Sequence, residues 1–219
     1  MGNTIYWIIG GGRFGLRAAE ALGRRGDAEI VVVDHNRERC RELADRGIRA
    51  ECTDGIRFLT DHLTGPDQHL WVVAAAPVHV AFLWLLARLS ETARVEPVPV
   101  PAEVARRLPN AVAGGKGEIF ASNADFICPP DCTEAGRLCT ATGRVRPRSM
   151  HAFIRRLTAA NVKILVIRSF QLAAGVGGLR PVDLFSVLAD ARSSKASIIL
   201  ATACKCHAVI SAFKIISER

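Results

Sequence analysis

The sequence predicts an α/β protein that opens with a Rossmann-type parallel sheet and continues into a second, smaller α/β region rich in cysteine. Three observations support this fold class. Short apolar runs alternate with helical patterns over the first hundred residues, a glycine-rich turn follows the first apolar run, and five of the seven cysteines fall after residue 125. The 219 residues are enough for one sizeable core or two small ones.

In the first region, apolar periodicity predicts five strands and four helices. Buried parallel strands are continuously apolar, whereas helices repeat their apolar residues every three or four positions. We therefore predict strands at residues 5–9, 30–33, 49–52, 70–76 and 95–100, and helices at residues 14–24, 37–45, 56–63 and 78–89. The apolar run at 70–87 reaches the length of a membrane span, but Pro77 in its middle favours a strand followed by a helix.

The second region is less regular. Three prolines between Glu96 and Pro101 predict an edge strand that runs into a linker, so we place the domains at residues 1–105 and 106–219. A loop rich in Cys, Pro and Gly is expected at residues 126–148. Around it we predict strands at 118–120, 163–168 and 197–202, and helices at 150–157, 181–191 and 207–216.

The glycine-rich turn has the spacing of a dinucleotide-binding motif. Gly10, Gly12 and Gly15 form a G-x-G-x-x-G pattern, with Arg13 and Phe14 between the last two glycines. The first glycine allows the tight turn, the second lets the backbone approach a pyrophosphate, and the third lets the helix pack closely on the strand. The helix N-terminus beyond the turn favours phosphate. We therefore expect these five residues to bind a dinucleotide.

The end of the second predicted strand adds an acidic residue at the expected place. Asp34 lies 19 residues after Gly15, where a carboxylate accepts hydrogen bonds from the adenosine ribose. This favours NAD(H), or another adenine nucleotide with free ribose hydroxyls, because the carboxylate would repel the 2′-phosphate of NADP(H). His35 and Arg37 follow and are expected in the same site, and the Arg37 cation leaves the selectivity open.

These residues together resemble a known family. The similarity lies in Ile8–Gly15, Val31–Asp34, Arg37–Arg39, Gly47 and Asp54-Gly55. Over about residues 4–76 the chain resembles the N-terminal domain of the regulators of potassium conductance, the RCK or TrkA-type nucleotide-binding domains. The resemblance implies binding of NAD(H), ATP or ADP and a regulatory role beside a potassium channel or transporter. After the fourth strand the sequence departs from the pattern, and nothing resembles the second regulatory domain of that family.

The cysteines of the second region predict a metal site. Cys128, Cys132 and Cys139 form a C-x3-C-x6-C loop, and Cys204 and Cys206 follow an apolar strand. An iron–sulfur cluster accepts irregular spacing and often has proline beside a ligand, whereas zinc normally takes paired C-x2–4-C segments. Iron–sulfur, zinc and free thiols remain alternatives. The fourth thiolate is either Cys204 or Cys206.

The charge is uneven along the chain. Residues 1–125 hold 15 Lys and Arg against 16 Asp and Glu, whereas residues 126–219 hold 14 against 5, a surplus of nine. This surplus fits an anionic partner, such as a phosphate-bearing ligand, nucleic acid, an acidic protein or a metal–thiolate cluster. The family resemblance implies a membrane transporter subunit as a further partner. Nucleic acid is not expected, because the basic stretch 144–156 lacks interleaved aromatic residues. The seven cysteines and the absence of a secretory signal predict a cytoplasmic location. We also expect the protein to be a homo-oligomer.

Two further segments lie where a ligand is expected. His79 follows the fourth strand, either beside the nucleotide ring or simply filling the start of a helix. The glycines of segment 174–178 allow close approach to a ligand or cluster.

The function predicted from these features is an NAD(H)-binding protein with a Cys-ligated iron–sulfur or zinc site, acting as a redox or nucleotide sensor or in electron transfer. The alternative is a nucleotide-dependent regulatory subunit of a potassium transport system, in which the metal is structural. The sequence has no recognisable Ser–His–Asp or paired-carboxylate arrangement, so it indicates no catalytic residue and leaves enzymatic activity open.

Overall fold

The computed structural model describes residues 3–26, 28–134, 136–146 and 148–218. Its strands are β1 Thr4–Ile9, β2 Ala28–Val33, β3 Ala50–Glu51, β4 Leu70–Ala74, β5 Ala93–Val98, β6 Val112–Ala113, β7 Ile119–Ser122, β8 Val162–Arg168, β9 Phe170–Ala173, β10 Val176–Gly178, β11 Ser197–Ala203 and β12 His207–Glu218. Its helices are α1 Arg13–Gly23, α2 Arg37–Asp45, α3 Gly55–His62, α4 Val80–Ser90, α5 Ala102–Ala105, α6 Met150–Ile154 and α7 Pro181–Arg192.

The first four strands form the predicted parallel sheet, in the order β3-β2-β1-β4. Side chains alternate across β1: Tyr6 and Ile8 pack on α1 and α2, whereas Ile9 joins the core on the other face. The glycine turn connects β1 to α1, so the start of α1 lies at the carboxyl edge of the sheet. This is the edge at which open α/β sheets bind their ligands.

A second, mixed sheet is built around β12 and β11. The order β6-β7-β12-β11-β8 places β12 at its centre, and β5 also pairs with β12 in antiparallel register. Strand β5 was expected beside the first region and instead belongs to this sheet. The predicted helix at residues 207–216 is wrong, because that segment is β12. Its Val, Ile and Phe residues favour a strand, and partners on both sides satisfy its backbone.

The two sheets share one core. Helices α3, α4 and α7 contribute side chains to a cluster that also contains Ile9 and Val33 from the first sheet and Leu200 and Phe213 from the second. Helices α5 and α6 cover the other face of the second sheet. The protein is therefore layered, with a helical layer between two sheets and further helices on both outer faces. No helix in the described part of the chain has the length and apolar character needed to cross a bilayer.

The β9–β10 hairpin, which the sequence patterns did not predict as strands, joins the second region to the first. Leu179, directly after β10, exchanges two backbone hydrogen bonds with Val72 of β4, at 2.8 and 2.9 Å. Val176 is buried in the same cluster as α1, and Arg25 at the end of α1 donates to the carbonyl of Leu172. The hairpin is thus fixed against the edge strand of the first sheet and against α1.

Candidate functional site

A crevice of about 730 Å³ lies at the carboxyl edge of the first sheet. One wall comes from the glycine turn and the end of β2, and another from the segment after β4. The hairpin closes it from the second region. Its lining includes Gly10, Gly12, Arg13, Phe14, Asp34, His35, Arg39, Asp54, Ala74–Val78 and Gly175–Gly177.

The three glycines of the turn differ in what surrounds them. Gly10 has a φ of +106°, and a Cβ there would lie 2.7 Å from the backbone nitrogen of Ala76. A Cβ at Gly15 would lie 1.8 Å from the carbonyl oxygen of Gly10, so α1 packs against the turn itself. Around Gly12, by contrast, a Cβ would meet nothing within 4 Å. Gly10 and Gly15 thus shape the turn, and Gly12 leaves open space at the mouth of the crevice.

The carboxylate of Asp34 is held firmly and remains ionised. One oxygen accepts the backbone N–H of Gly11 at 2.7 Å and lies 3.5 Å from Arg39, and the other accepts the N–H of Asn36 at 2.8 Å. Burial alone would raise the pKa of Asp34, but these hydrogen bonds and the nearby Arg39 and His35 charges lower it overall. A fixed anion therefore lines the crevice.

Most of the residues predicted to bind a nucleotide lie together. Gly10, Gly12, Arg13, Phe14, Asp34 and His35 line the crevice, and Gly15 is buried beneath the turn. Arg37 begins α2 and does not line it. Arg39, which the sequence analysis included in the family resemblance but not among the site residues, provides the cation beside Asp34. The signal in the sequence that could have located Arg39 was Asn36, because an Asn at this position caps the start of α2 and so sets the direction of the helix. In the structure the Asn36 side chain accepts the backbone N–H of Arg39.

A second pocket, of about 330 Å³, lies beside the crevice and is lined by thiols. Four of the five predicted cysteines reach it: Cys128, Cys132, Cys204 and Cys206. Cys139 does not line it. Phe14 and Gly175–Gly177 line both this pocket and the crevice. We call it the thiol pocket.

The turn between β11 and β12 has backbone N–H groups directed at sulfur. The Sγ of Cys204 accepts the N–H of Cys206 at 3.3 Å and that of His207 at 3.2 Å. The imidazole of His207 lies between two thiols, with Nε2 3.5 Å from Cys128 Sγ and Nδ1 3.9 Å from Cys204 Sγ. N–H donors of this kind stabilise a thiolate. His207 directly follows Cys206 in the sequence, and that adjacency was the signal for it.

Burial decides the protonation of most of these groups. It raises the pKa of the Cys128 and Cys204 thiols, and it raises that of Cys206 to about 11 despite the nearby Arg146. Burial also lowers the pKa of His207, so its imidazole is neutral, with one ring nitrogen protonated and a lone pair on the other. In Cys139, hydrogen bonds from the side chain of Thr142 and from backbone amides lower the thiol pKa.

The thiol pocket does not present a finished metal centre. In the described ranges, no three His, Cys, Asp or Glu side chains are grouped so that they could hold a metal ion. The predicted iron–sulfur or zinc site is therefore not shown. What the fold does is bring cysteines from residues 128–132 and 204–206 to one pocket beside a neutral histidine.

His79 lines neither the crevice nor the thiol pocket. It precedes α4, is buried, and hydrogen-bonds through Nδ1 to Ser211 Oγ at 3.0 Å and through Nε2 to Thr202 Oγ1 at 2.9 Å. Burial lowers its pKa from 6.5 to about 3, so the ring is neutral. It links the first region to β11 and β12.

Comparisons with known proteins agree with the two-part architecture. Residues 6–97 match the TrkA-N domain, which confirms the resemblance seen in the sequence. A protein of Archaeoglobus fulgidus, named only as an uncharacterized protein, is 28% identical over 223 residues, covering 94% of this chain and 98% of that protein. The similarity therefore extends through both regions. Residues 81–216, more than half of the chain, match the AF_1314_C family, described as "Uncharacterized protein, C-terminal domain", and the chain belongs to this family.

Proposed function

We propose that the protein binds NAD(H) in the crevice and acts as a regulatory protein that responds to the state of this nucleotide. The observation that carries the proposal is the fixed, ionised carboxylate of Asp34 in a crevice where Gly12 leaves the helix start open. The TrkA-N match supports a nucleotide-binding regulatory domain.

The crevice suits the pyrophosphate and the adenosine ribose of the dinucleotide. The pyrophosphate fits over Gly12, where the first N–H groups of α1 and the helix dipole favour a negative charge. Asp34 has lone pairs left to accept the adenosine ribose hydroxyls, and its negative charge opposes a 2′-phosphate. The Arg39 cation, 3.5 Å from that carboxylate, reduces the repulsion between Asp34 and a 2′-phosphate but does not remove it.

A cysteine-ligated iron–sulfur or zinc site is the second part of the proposal. Four cysteines line one pocket, and Cys204 already accepts two N–H groups as a metal-bound thiolate does. The pocket borders the crevice, which supports a redox or nucleotide sensor or an electron-transfer protein. The C-x3-C-x6-C spacing adds Cys139 to the proposed ligands, although Cys139 does not line the pocket.

A regulatory subunit of a potassium transport system is the alternative, and the TrkA-N match favours it. In that role the basic second region would contact an acidic protein or a membrane transporter subunit, and the metal would be structural. A homo-oligomeric state and a cytoplasmic location remain predictions in either case.

Nucleotide selectivity tests the proposal. We would titrate NADH, NADPH and ADP into the full chain by calorimetry, and repeat the titrations with Asp34→Asn. The wild type should bind NADH at least tenfold more tightly than NADPH. The variant should lose at least about tenfold in NADH affinity, because a hydrogen bond to a charged group contributes roughly 1.5–3 kcal/mol.

Asp45→Asn makes the same change at the exposed end of α2 and is the matched control. Thermal unfolding of both variants would show whether each remains folded. Absence of binding for every nucleotide, or equal NADH affinity in Asp34→Asn and the wild type, would contradict the proposal.

A further inference from the structure

A third pocket, of about 380 Å³, continues the crevice towards the second sheet. The two spaces share four lining residues: Ala74, Ala76, Val78 and Gly177. The other wall of the pocket belongs to the second sheet and includes Ser169, Thr202 and Val209. His79 also lines this space, and we call it the His79 pocket.

The second sheet turns its carboxyl edge towards this pocket. Strands β8 and β11 are parallel, Ser169 directly follows β8, and Thr202 is the last residue but one of β11. Along β11, Ile198 and Leu200 belong to the core shared with the first sheet, and Thr202 lies on the same face two residues further on. The His79 pocket therefore lies between the carboxyl edges of the two sheets, where α/β proteins bind ligands.

A buried histidine holds the hydroxyl of Thr202 in place. His79 Nε2 lies 2.9 Å from Thr202 Oγ1, and Nδ1 lies 3.0 Å from Ser211 Oγ. The neutral ring donates from one nitrogen and accepts at the other, so Thr202 keeps either its O–H or its lone pairs for a ligand. A ligand amide has both a carbonyl oxygen and N–H groups, and it can therefore bond to Thr202 with either tautomer of His79.

The His79 pocket is uncharged. Among the described residues that line it, none is Lys, Arg, Asp or Glu. Burial lowers the pKa of His79 and of His207 and raises that of the Cys204 thiol, so all three side chains are neutral. Phe120, about half exposed, attracts a cation only weakly. A cation that enters this pocket therefore loses water without gaining a counter-ion.

We infer that the His79 pocket holds the nicotinamide ring of NAD(H) and selects its reduced form. This inference rests on the proposed function of the crevice. With the adenosine ribose at Asp34 after β2 and the pyrophosphate at Gly12 after β1, the other half of the nucleotide extends towards β4, the next strand of the sheet.

The chemistry of the ring fits the lining of this pocket. The carboxamide of the nicotinamide bonds to Thr202. The reduced ring is uncharged, whereas the oxidised ring carries a positive charge that the pocket does not compensate. The protein therefore binds NADH more tightly than NAD⁺ and responds to the ratio of the two.

Calorimetry on the full chain with three nucleotides tests the inference. ADP-ribose keeps the adenosine, both phosphates and the second ribose of NADH but lacks the nicotinamide ring. We expect the Kd of NADH to be at least about fivefold lower than that of ADP-ribose, the loss typical of one neutral hydrogen bond. It should also be at least about fivefold lower than that of NAD⁺, because the charged ring is desolvated without a partner.

Thr202→Val removes the hydroxyl with little change of volume. The advantage of NADH over ADP-ribose should fall by at least about threefold, while the Kd of ADP-ribose stays within about twofold of the wild type and shows that the crevice is intact. Thr158→Val makes the same change at an exposed position and should keep the wild-type advantage.

Val209→Trp fills the pocket and does not depend on the hydrogen bonds of Thr202. This variant should bind NADH no more tightly than ADP-ribose. Val112→Trp, at an exposed position on β6, is its control and should behave as the wild type.

The outcomes separate the inference from the proposed function. If the wild-type Kd of NADH lies within about twofold of that of NAD⁺ or of ADP-ribose, the inference is overturned and the nucleotide site in the crevice stands. The same holds if Val209→Trp is folded and keeps the full advantage of NADH. If none of the three nucleotides binds, the proposed function fails, and the inference fails with it.

Discussion

The crevice and the thiol pocket lie side by side but are assembled from the chain in opposite ways. The glycine turn and Asp34 come from one continuous β-α-β segment, whose residues 9–34 form one wall of the crevice. The thiol pocket combines the loop at residues 128–134, the hairpin and the turn at residues 204–207. Local geometry therefore forms the glycine-turn wall of the crevice, whereas long-range contacts of the loop at residues 128–134 with the hairpin and with His207 form the pocket.

This difference implies that the two sites respond differently to mutation. Within the crevice, Gly12 can be changed without disturbing the other two glycines, because a Cβ there meets nothing within 4 Å, whereas Gly10 and Gly15 pack against each other. In the thiol pocket, the loop has few elements of regular structure and depends on contacts to the hairpin. A change at that junction should therefore affect several groups together.

The largest expected effect separates two glycines of the same turn. Gly15→Ala places a methyl group 1.8 Å from a carbonyl oxygen and should lower the free energy of unfolding by roughly 1–3 kcal/mol or more. Gly12→Ala places the same methyl group in open space and should change that free energy by less than about 1 kcal/mol. Urea unfolding followed by circular dichroism measures both, and equal losses would refute the division of tasks.

A slightly smaller loss of stability is expected where the β9–β10 hairpin packs on the loop at residues 128–134. Gly175→Ala adds a contact with Pro130 to the strain of a left-handed residue, and Gly47→Ala adds the strain alone, because nothing lies within 4 Å. We expect Gly175→Ala to be the more destabilising by about 1–3 kcal/mol, and to speed alkylation of Cys132 by a maleimide. Matching unfolding curves and alkylation rates for the two variants would show that the junction is loose.

His79, at the contact between the two regions, should make the free energy of unfolding depend on pH. Its pKa falls from 6.5 to about 3 in the folded protein, so stability should decline as the pH drops from about 6.5 towards 3. The slope from this group is at most about 1.4 kcal/mol per pH unit. His79→Gln should flatten the dependence, and His69→Gln, at an exposed position, should not. Parallel curves for His79→Gln and the wild type would contradict the assignment.

The same contrast explains what the sequence could predict. Helix α2 has the bounds predicted for it, and the parallel sheet and TrkA-N resemblance are confirmed, because turns, caps and apolar periods are local signals. The terminal helix was wrong because the segment from His207 pairs with strands distant in sequence. Local periodicity contains no information on such partners.

The functional residues follow this pattern too. The glycine motif and Asp34 could be located from spacing alone, but Arg39 required the direction of α2. The adjacency of His207 to Cys206 was visible in the sequence, but its position between Cys128 and Cys204 depends on the turn between β11 and β12. The shared wall at Gly175 depends on the packing of three segments, and the sequence indicated only that glycines there allow close approach.

The most direct test of the account is a fluorescence titration of NADH with the wild type and Gly12→Val. The valine side chain points into open space in the crevice, so the fold should persist while the pyrophosphate position is blocked. Gly65→Val makes the same change at another open glycine, in the loop before β4. We predict saturable NADH binding by the wild type and Gly65→Val, and at least a hundredfold weaker binding by a folded Gly12→Val. Equal binding by all three proteins would contradict the placement of the nucleotide on the glycine turn.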